Sequence, residues 1–237
     1  MRLAVTRPQA DGERTATALR ARGHQVQVAP LMRVEPVAAD LRGGWAAVIM
    51  TSANAPGAIA AHPVRAALIK RAVFAVGRRS ADAARAAGFA NVTSAGGDVR
   101  DLVRLIVERR ADAAGPLLYL AGEDRAADLI GKLTARGMAA EMRIVYRAVT
   151  TPFPPALIAA LKAREIDAVL HFSRRSADNY LAGAREAGLL AEALAPRHVC
   201  LAAPIAEPLV GAGASRIAIA ARPDEAALIE VLEPLPG

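Results

Sequence analysis

The sequence predicts an α/β protein built as two doubly wound lobes, each around a parallel sheet. Three observations carry this. Short apolar runs alternate with helical periodicity along nearly all 237 residues, which is the pattern of repeated βαβ units. Glycine closes several of the helical stretches, at Gly23, Gly88 and Gly137, where a left-handed residue ends a helix cheaply. The pattern also occurs twice, in an offset order. At 54% apolar residues the chain can bury a sizeable core, and its length suits two domains of about 100 residues as well as one.

Taken in order, residues 2–6 read as a strand, 10–21 as a helix and 25–29 as a second strand that Pro30 breaks. Residues 31–36 are extended, since Pro36 forbids helical continuation, and are the candidate for an outgoing crossover. The alternation then restarts, with strands over 45–50 and 72–76, a short one near Val92, and strands over 117–120 and 139–146. Between them helices are expected over 52–60, 80–87, 98–111 and 123–136. Within the last of these strands, Ile144, Tyr146 and Ala148 should face one side and Val145, Arg147 and Val149 the other. After Pro152, Pro154 and Pro155 come helices over 156–164, 174–187 and 205–210 and one from Asp224. They alternate with strands over 168–172, 199–201 and 217–220.

Composition excludes several classes. Cys200 is the single cysteine, so an intramolecular disulfide framework is ruled out, and four scattered histidines lack metal-ligand spacing. Neither a signal-peptide pattern nor a bilayer-length apolar run is present, and a soluble, cytoplasmic protein is expected. The formal charge of +7 rests on 27 arginines and only three lysines. A GC-rich genome produces that bias, but arginine forks also suit carboxylates and phosphates. The arginines are scattered among acidic neighbours without a dense basic run or interleaved aromatics, so a small acidic ligand fits better than nucleic acid.

The repeat shows in three places. Residues 2–23 match 117–137 as strand, helix and a closing Ala-Arg-Gly. Trp45 to Ser52 matches Asp167 to Ser173, an apolar strand delivering a serine to a helix start. Val73 to Gly77 matches Val199 to Ala203. The offset implies interleaving, with residues 1–32 and 151–237 forming one lobe, 37–142 the other, and 33–36 and 143–150 acting as linker strands. Two connectors make a hinge, and ligands of hinged proteins bind between the lobes.

Ser52 and Ser173 each follow a strand and open a helix, where free N–H groups and a partial positive charge favour carboxylates. The plainer reading is an N-cap, contributing about 1 kcal/mol without any ligand; the two roles can coexist. Asn54, Ser80 and Ser176 lie near the same strand ends, where open α/β sheets bind ligands. There is no phosphate loop, since Gly131-Lys132 is followed by Leu133, and no nucleophile elbow. His171 near Ser173 is not taken as a catalytic pair.

One ordered set of motifs covers nearly the whole chain. It comprises Thr6-Arg7-Pro8, Thr51-Ser52-Ala53-Asn54, Val76-Gly77-Arg78-Arg79-Ser80 with Gly88 following, Gly122 to Arg125, Val145-Tyr146-Arg147, and Phe172-Ser173 with Ser176. Together they resemble the uroporphyrinogen-III synthase family of tetrapyrrole-cyclising enzymes. The resemblance implies two flavodoxin-like lobes joined by a two-stranded linker, a monomer, and no cofactor. It implies a lyase that converts hydroxymethylbilane, handed over by the preceding deaminase, to uroporphyrinogen III through a spiro intermediate. Tyr146 is then the candidate for assisting departure of the hydroxyl, or else a wall residue. Ser52, Asn54, Ser80, Ser173 and Ser176 become candidate ligand contacts, and Arg7 a carboxylate partner. The chain departs from the family pattern at Ala202 to Ala206, where glycine and threonine are usual, and at Ala121, where arginine often stands. Those departures support a rival reading, a non-catalytic hinged binding or sensor protein for an acidic ligand.

Overall fold

The computed structural model describes residues 1–110, 115–124 and 128–232. The chain begins β1 (Arg2–Val5), α1 (Gln9–Arg20), β2 (Gln25–Val28) and β3 (Met32–Pro36). It continues through β4 (Ala47–Met50), α2 (Asn54–Ala58), α3 (Arg65–Leu68), β5 (Ala72–Ala75), α4 (Arg78–Ala86) and β6 (Val92–Ser94). Next come α5 (Val99–Arg110), β7 (Leu117–Gly122), α6 (Leu129–Thr134) and the long β8 (Ala140–Thr150). The remainder is α7 (Pro155–Lys162), β9 (Ala168–His171), α8 (Arg174–Glu186), α9 (Leu190–Leu194), β10 (Arg197–Cys200), α10 (Ala203–Gly211), β11 (Ile217–Ile219) and α11 (Glu225–Glu230). Two compact units result, one from Met1–Arg33 with Val149–Gly237 (unit 1), the other from Val34–Ala148 (unit 2).

Unit 1 holds a five-stranded sheet in the order β11-β10-β9-β1-β2, its paired strands parallel. Every residue of β9 is buried, as expected when helices cover both faces of a parallel sheet. Successive residues serve opposite cores. Val169 joins Tyr180, Leu181 and Leu209 on one face, while Ala168 and Leu170 join Leu19, Leu228 and Ile229 on the other. α1 contributes Gly12, Thr15, Ala16 and Leu19 to that second face, the i, i+3, i+4, i+7 stripe of an amphipathic helix.

Unit 2 has the order β3-β8-β7-β4-β5-β6. Its cores divide in the same way, with Val48, Met50, Leu118 and Leu120 on one side and Ala47, Ile49, Leu117 and Tyr119 on the other. Leaving aside β3, the two sheets correspond in order: β2, β1, β9, β10 and β11 match β8, β7, β4, β5 and β6. The three sequence matches fall on these equivalent strands. Counted along the chain in that matched direction, unit 1 reads 2-1-3-4-5, the flavodoxin-like order, and unit 2 reads 5-4-1-2-3. It is one spatial arrangement entered at a different strand, which accounts for the offset of the repeat. The matching Ala-Arg-Gly closures are physically equivalent too, since Gly23 and Gly137 adopt φ of +81° and +73°, a conformation that glycine alone takes without cost.

Several boundaries differ from the sequence-based expectation. Of the helix expected over 123–136, the described residues show α6, capped by Asp128, whose carboxylate accepts from Gly131 N at 2.8 Å. The helix expected from Ser52 begins at Asn54 and is one short turn and a half long, because Pro56 and Gly57 extend a helix poorly. The short helices α3 and α9 had no periodicity to reveal them. The expected strand over 139–146 and the linker after it form one strand, β8. Arg125 and Ala111, which closed two predicted segments, lie outside the described residues.

Candidate active site

In each unit the sheet order reverses between two strands whose carboxyl ends open a crevice, the usual ligand position of open α/β sheets. In unit 2 these are β4 and β7; in unit 1 they are β9 and β1. The motifs singled out in the sequence cluster at these ends.

In unit 2 the central feature is a bulge. Ala121 of β7 is paired with Ile144 of β8, but the next residue, Gly122, is paired with Tyr146, so Val145 is passed over. An extra residue in one strand breaks the alternation of side chains. The expectation that Ile144 and Tyr146 share a face is therefore wrong. Ile144 packs on the Ile49 and Tyr119 side, whereas Val145 and Tyr146 both pack on the Val48 and Leu120 side. On the side facing β3, the bulge is held by Val37 N, which donates to Val145 O at 2.8 Å.

The Tyr146 ring lies directly over Gly122. A Cβ at that position would stand 2.5 Å from Tyr146 Cε2, 2.6 Å from Cζ and 2.8 Å from the hydroxyl oxygen, distances no side chain tolerates. Tyr146 O in turn accepts from Glu123 N at 3.0 Å. The Ser52 hydroxyl is a neighbour of the Tyr146 hydroxyl. Burial raises the pKa of this half-buried phenol, the Ser52 hydroxyl lowers it, and the neighbouring Tyr119 and Asp124 raise it further. The phenol therefore keeps its proton at neutral pH, which is the state a hydrogen-bond donor requires.

Ser52 accepts from Asn54 N through its hydroxyl at 3.2 Å, making a tight turn ahead of α2 in place of the N-cap expected of it; Ala53 holds the cap position without a side-chain bond. Asn54 is exposed and Ser80 is buried at the third position of α4. Gly77 caps α4 without a side chain, and Arg78 and Arg79 begin the helix with no acidic residue in the first turn. Positive side chains there oppose the helix dipole, an arrangement relieved by an anion. Tyr119, which belongs to none of the motifs read from the sequence, places its hydroxyl 2.8 Å from Thr51 Oγ1.

In unit 1, Ser173 caps α8 and forms a reciprocal box with Ser176. Ser176 N donates to Ser173 Oγ at 3.1 Å, Ser173 N donates to Ser176 Oγ at 3.2 Å, and Ser176 Oγ donates to Ser173 O at 2.7 Å. Arg7, expected to face a ligand carboxylate, is instead engaged within the protein. Its guanidinium donates to Thr15 Oγ1 at 3.0 Å, pairs with Glu225 at 3.3 Å, and lies 4.1 Å from the centroid of the Phe172 ring. Its side chain is only 13% exposed. Unit 1 thus brings Ser173 and Ser176 together, and unit 2 brings Ser52 and Tyr146 together with Asn54 beside them. His171 is buried in the unit 1 core against Tyr180 and His198. Among the described residues no three His, Cys, Asp or Glu side chains are grouped to hold a metal, and no helix is long and apolar enough to cross a membrane.

The family described as HEM4, uroporphyrinogen-III synthase HemD, matches residues 13–230. No curated protein matches the chain. Among solved structures, the uroporphyrinogen-III synthetase of Helicobacter pylori 26695 is similar with a TM-score of 0.67, at 18% identity, over 98% of this chain and 98% of that one. That likeness is one of fold. A mutant uroporphyrinogen III synthase of Thermus thermophilus aligns over 96% of both chains at 17% identity with a TM-score of 0.49. Another Thermus thermophilus structure of that enzyme aligns over 98% of both at 16% identity and 0.41.

Proposed function

Because this chain belongs to the uroporphyrinogen-III synthase family, we propose that it closes hydroxymethylbilane, a linear tetrapyrrole polycarboxylate, to uroporphyrinogen III with inversion of the terminal ring. The observation that carries the site assignment is the Tyr146 phenol, protonated, seated on Gly122 and beside Ser52 at the unit 2 switch point. In this reading the Tyr146 hydroxyl donates to the departing hydroxyl of the substrate, which leaves as water. The substituted carbon of the last pyrrole attacks the methylene of the resulting azafulvene cation to form a spiro intermediate, which fragments and recloses the other way with loss of a proton. Unassisted closure gives the non-inverted isomer, and a hundredfold bias needs only about 2.7 kcal/mol. Holding a flexible polyanion in one bent shape is enough to supply that.

Carboxylates are met by main-chain N–H groups and serine hydroxyls. In unit 2 these come from Ser52, Asn54 and the start of α4 with Ser80, aided by Arg78 and Arg79. In unit 1 they come from the start of α8, which Ser173 and Ser176 shape, and from the uncapped start of α10. Given its partners Glu225 and Thr15, we assign Arg7 a supporting role, bracing Phe172 ahead of the Ser173 turn. We propose further that the protein acts as a cytoplasmic monomer receiving its substrate from the deaminase that makes it.

Freshly generated hydroxymethylbilane is supplied to the protein, products are oxidised, and type III and type I porphyrins are separated by chromatography. A fast excess of type III is expected. Type I alone at the uncatalysed rate would overturn the catalytic reading in favour of a binding or sensor protein. Tyr146→Phe should then lose on the order of 10²-fold in rate; a loss below about tenfold would leave Tyr146 as a wall residue.

A further inference from the structure

The hydroxyl of Tyr119 is in an unusual position for a core side chain. Tyr119 sits in mid-β7, in register with Ile49 and Met142 on the neighbouring strands. Its ring is buried at 4% exposure among Leu102, Ile106, Leu129 and other aliphatic side chains. Phenylalanine would fill the same volume without a polar atom to satisfy. The hydroxyl instead reaches past the end of β4 to Thr51 Oγ1, 2.8 Å away. Thr51 is the residue immediately before Ser52, and Ser52 turns back to accept from Asn54 N beside the Tyr146 hydroxyl. One side of the strand end is thereby pinned by Tyr119, and the serine emerging from the other side meets Tyr146.

We propose that Tyr119 is a positioning residue for ring closure, its hydroxyl fixing the Thr51-Ser52 turn so that Ser52 holds the Tyr146 phenol in its donating orientation. Tyr119 touches neither substrate nor reacting atoms; it acts through Thr51 and Ser52. The inference rests on Tyr146 being the donor proposed above. It predicts that loss of the Tyr119 hydroxyl reduces turnover and the share of type III product while leaving the fold and substrate affinity nearly intact.

The test is a double-mutant cycle of Tyr119→Phe with Tyr146→Phe, each variant assayed for kcat, KM and the ratio of type III to type I product. Tyr119→Phe is expected to keep its thermal midpoint within about 5 °C, to lose about tenfold in kcat and to change KM less than about twofold. In the Tyr146→Phe background the same substitution should cost less than about twofold, because its route of action is already gone. Thr51→Val removes the other partner of the bond and should reproduce Tyr119→Phe, which keeps the test usable if that variant folds poorly. Unchanged kcat in both variants, or an undiminished loss in the Tyr146→Phe background, overturns the positioning role alone. A Tyr146→Phe loss below about tenfold overturns the donor assignment, and the inference with it.

Discussion

The buried histidine pair of unit 1 makes the protein acid-sensitive over a definite window. His171 Nε2 and His198 Nδ1 are 3.1 Å apart and both residues are fully buried. The Tyr180 ring meets both edgewise, at centroid separations of 5.3 and 5.8 Å. Burial pushes the pKa of His198 down to about 4, with the nearby carbonyls of Leu194 and Ala193 partly opposing it. Burial and the neighbouring His198 hold His171 well below its ordinary value. The groups around them stay neutral, since burial pushes the Cys200 thiol up to about 12 and raises Tyr180 as well. Both histidines are thus neutral when folded and titrate near about 6.5 when unfolded. Between those values the unfolded chain binds more protons, so stability is present above pH about 6.5 and is lost as pH falls. Each histidine removes about 1.4 kcal/mol per pH unit, and the two together remove about 4 kcal/mol between pH 6.5 and 5. That is a large share of the roughly 5–15 kcal/mol typical of a whole domain. Urea unfolding followed by circular dichroism should give a flat stability from about pH 8 to 7 and a steep fall below about 6. The double substitution His171→Leu/His198→Leu should abolish the fall. Equal losses from about pH 7 to 5 in parent and variant would refute the reasoning.

Gly122→Ala should move the Tyr146 ring, because the new methyl carbon would overlap three of its atoms. Overpacking of this kind costs about 1–3 kcal/mol in stability, and a displaced donor should reduce kcat by about 10²-fold; a variant with parental kcat would show that the ring position is irrelevant to turnover. Ser173→Ala removes the cap of α8 and should cost about 1 kcal/mol by thermal unfolding. Because the Ser173 and Ser176 hydroxyls each bond the other residue's backbone, KM should rise by less than about threefold, which steady-state kinetics will check.

The fold was legible because its signals are local and repeated. Apolar runs such as Ala47–Met50 and Ala168–His171, both buried throughout, require strands covered on both faces, and the Ala-Arg-Gly endings mark helix closures in both units. The short helices α3 and α9 were missed because four or five residues cannot show a period of about 3.6 residues. Tyr146, Ser52 and Asn54 were singled out from their places at strand ends. The bulge that aims Tyr146 was not, since Val145 is an ordinary strand residue and nothing in its neighbours announces that it is skipped. The internal partners of Arg7 were hidden for a different reason. Its partner Glu225 lies 218 residues away, and an ion pair closed by the fold leaves no trace in the spacing of nearby residues. Gly122 was quoted as part of a motif, but its need for a bare backbone appears only once the Tyr146 ring is laid across it.

The two sheets share one strand order, yet their equivalent edges have diverged. β1 and β2 correspond to β7 and β8. Where unit 2 has Gly122 bearing the Tyr146 ring, the unit 1 edge has Arg7 tied to Thr15 and Glu225 over Phe172, and a serine box that closes the start of α8 on itself. Unit 1's edge is held by internal bonds, while unit 2's edge keeps a protonated phenol at its switch point. The bulge at Val145 is the local change that separates the two, turning a residue that would have faced the Ile49 core onto the Val48 and Leu120 side, where its ring crosses Gly122.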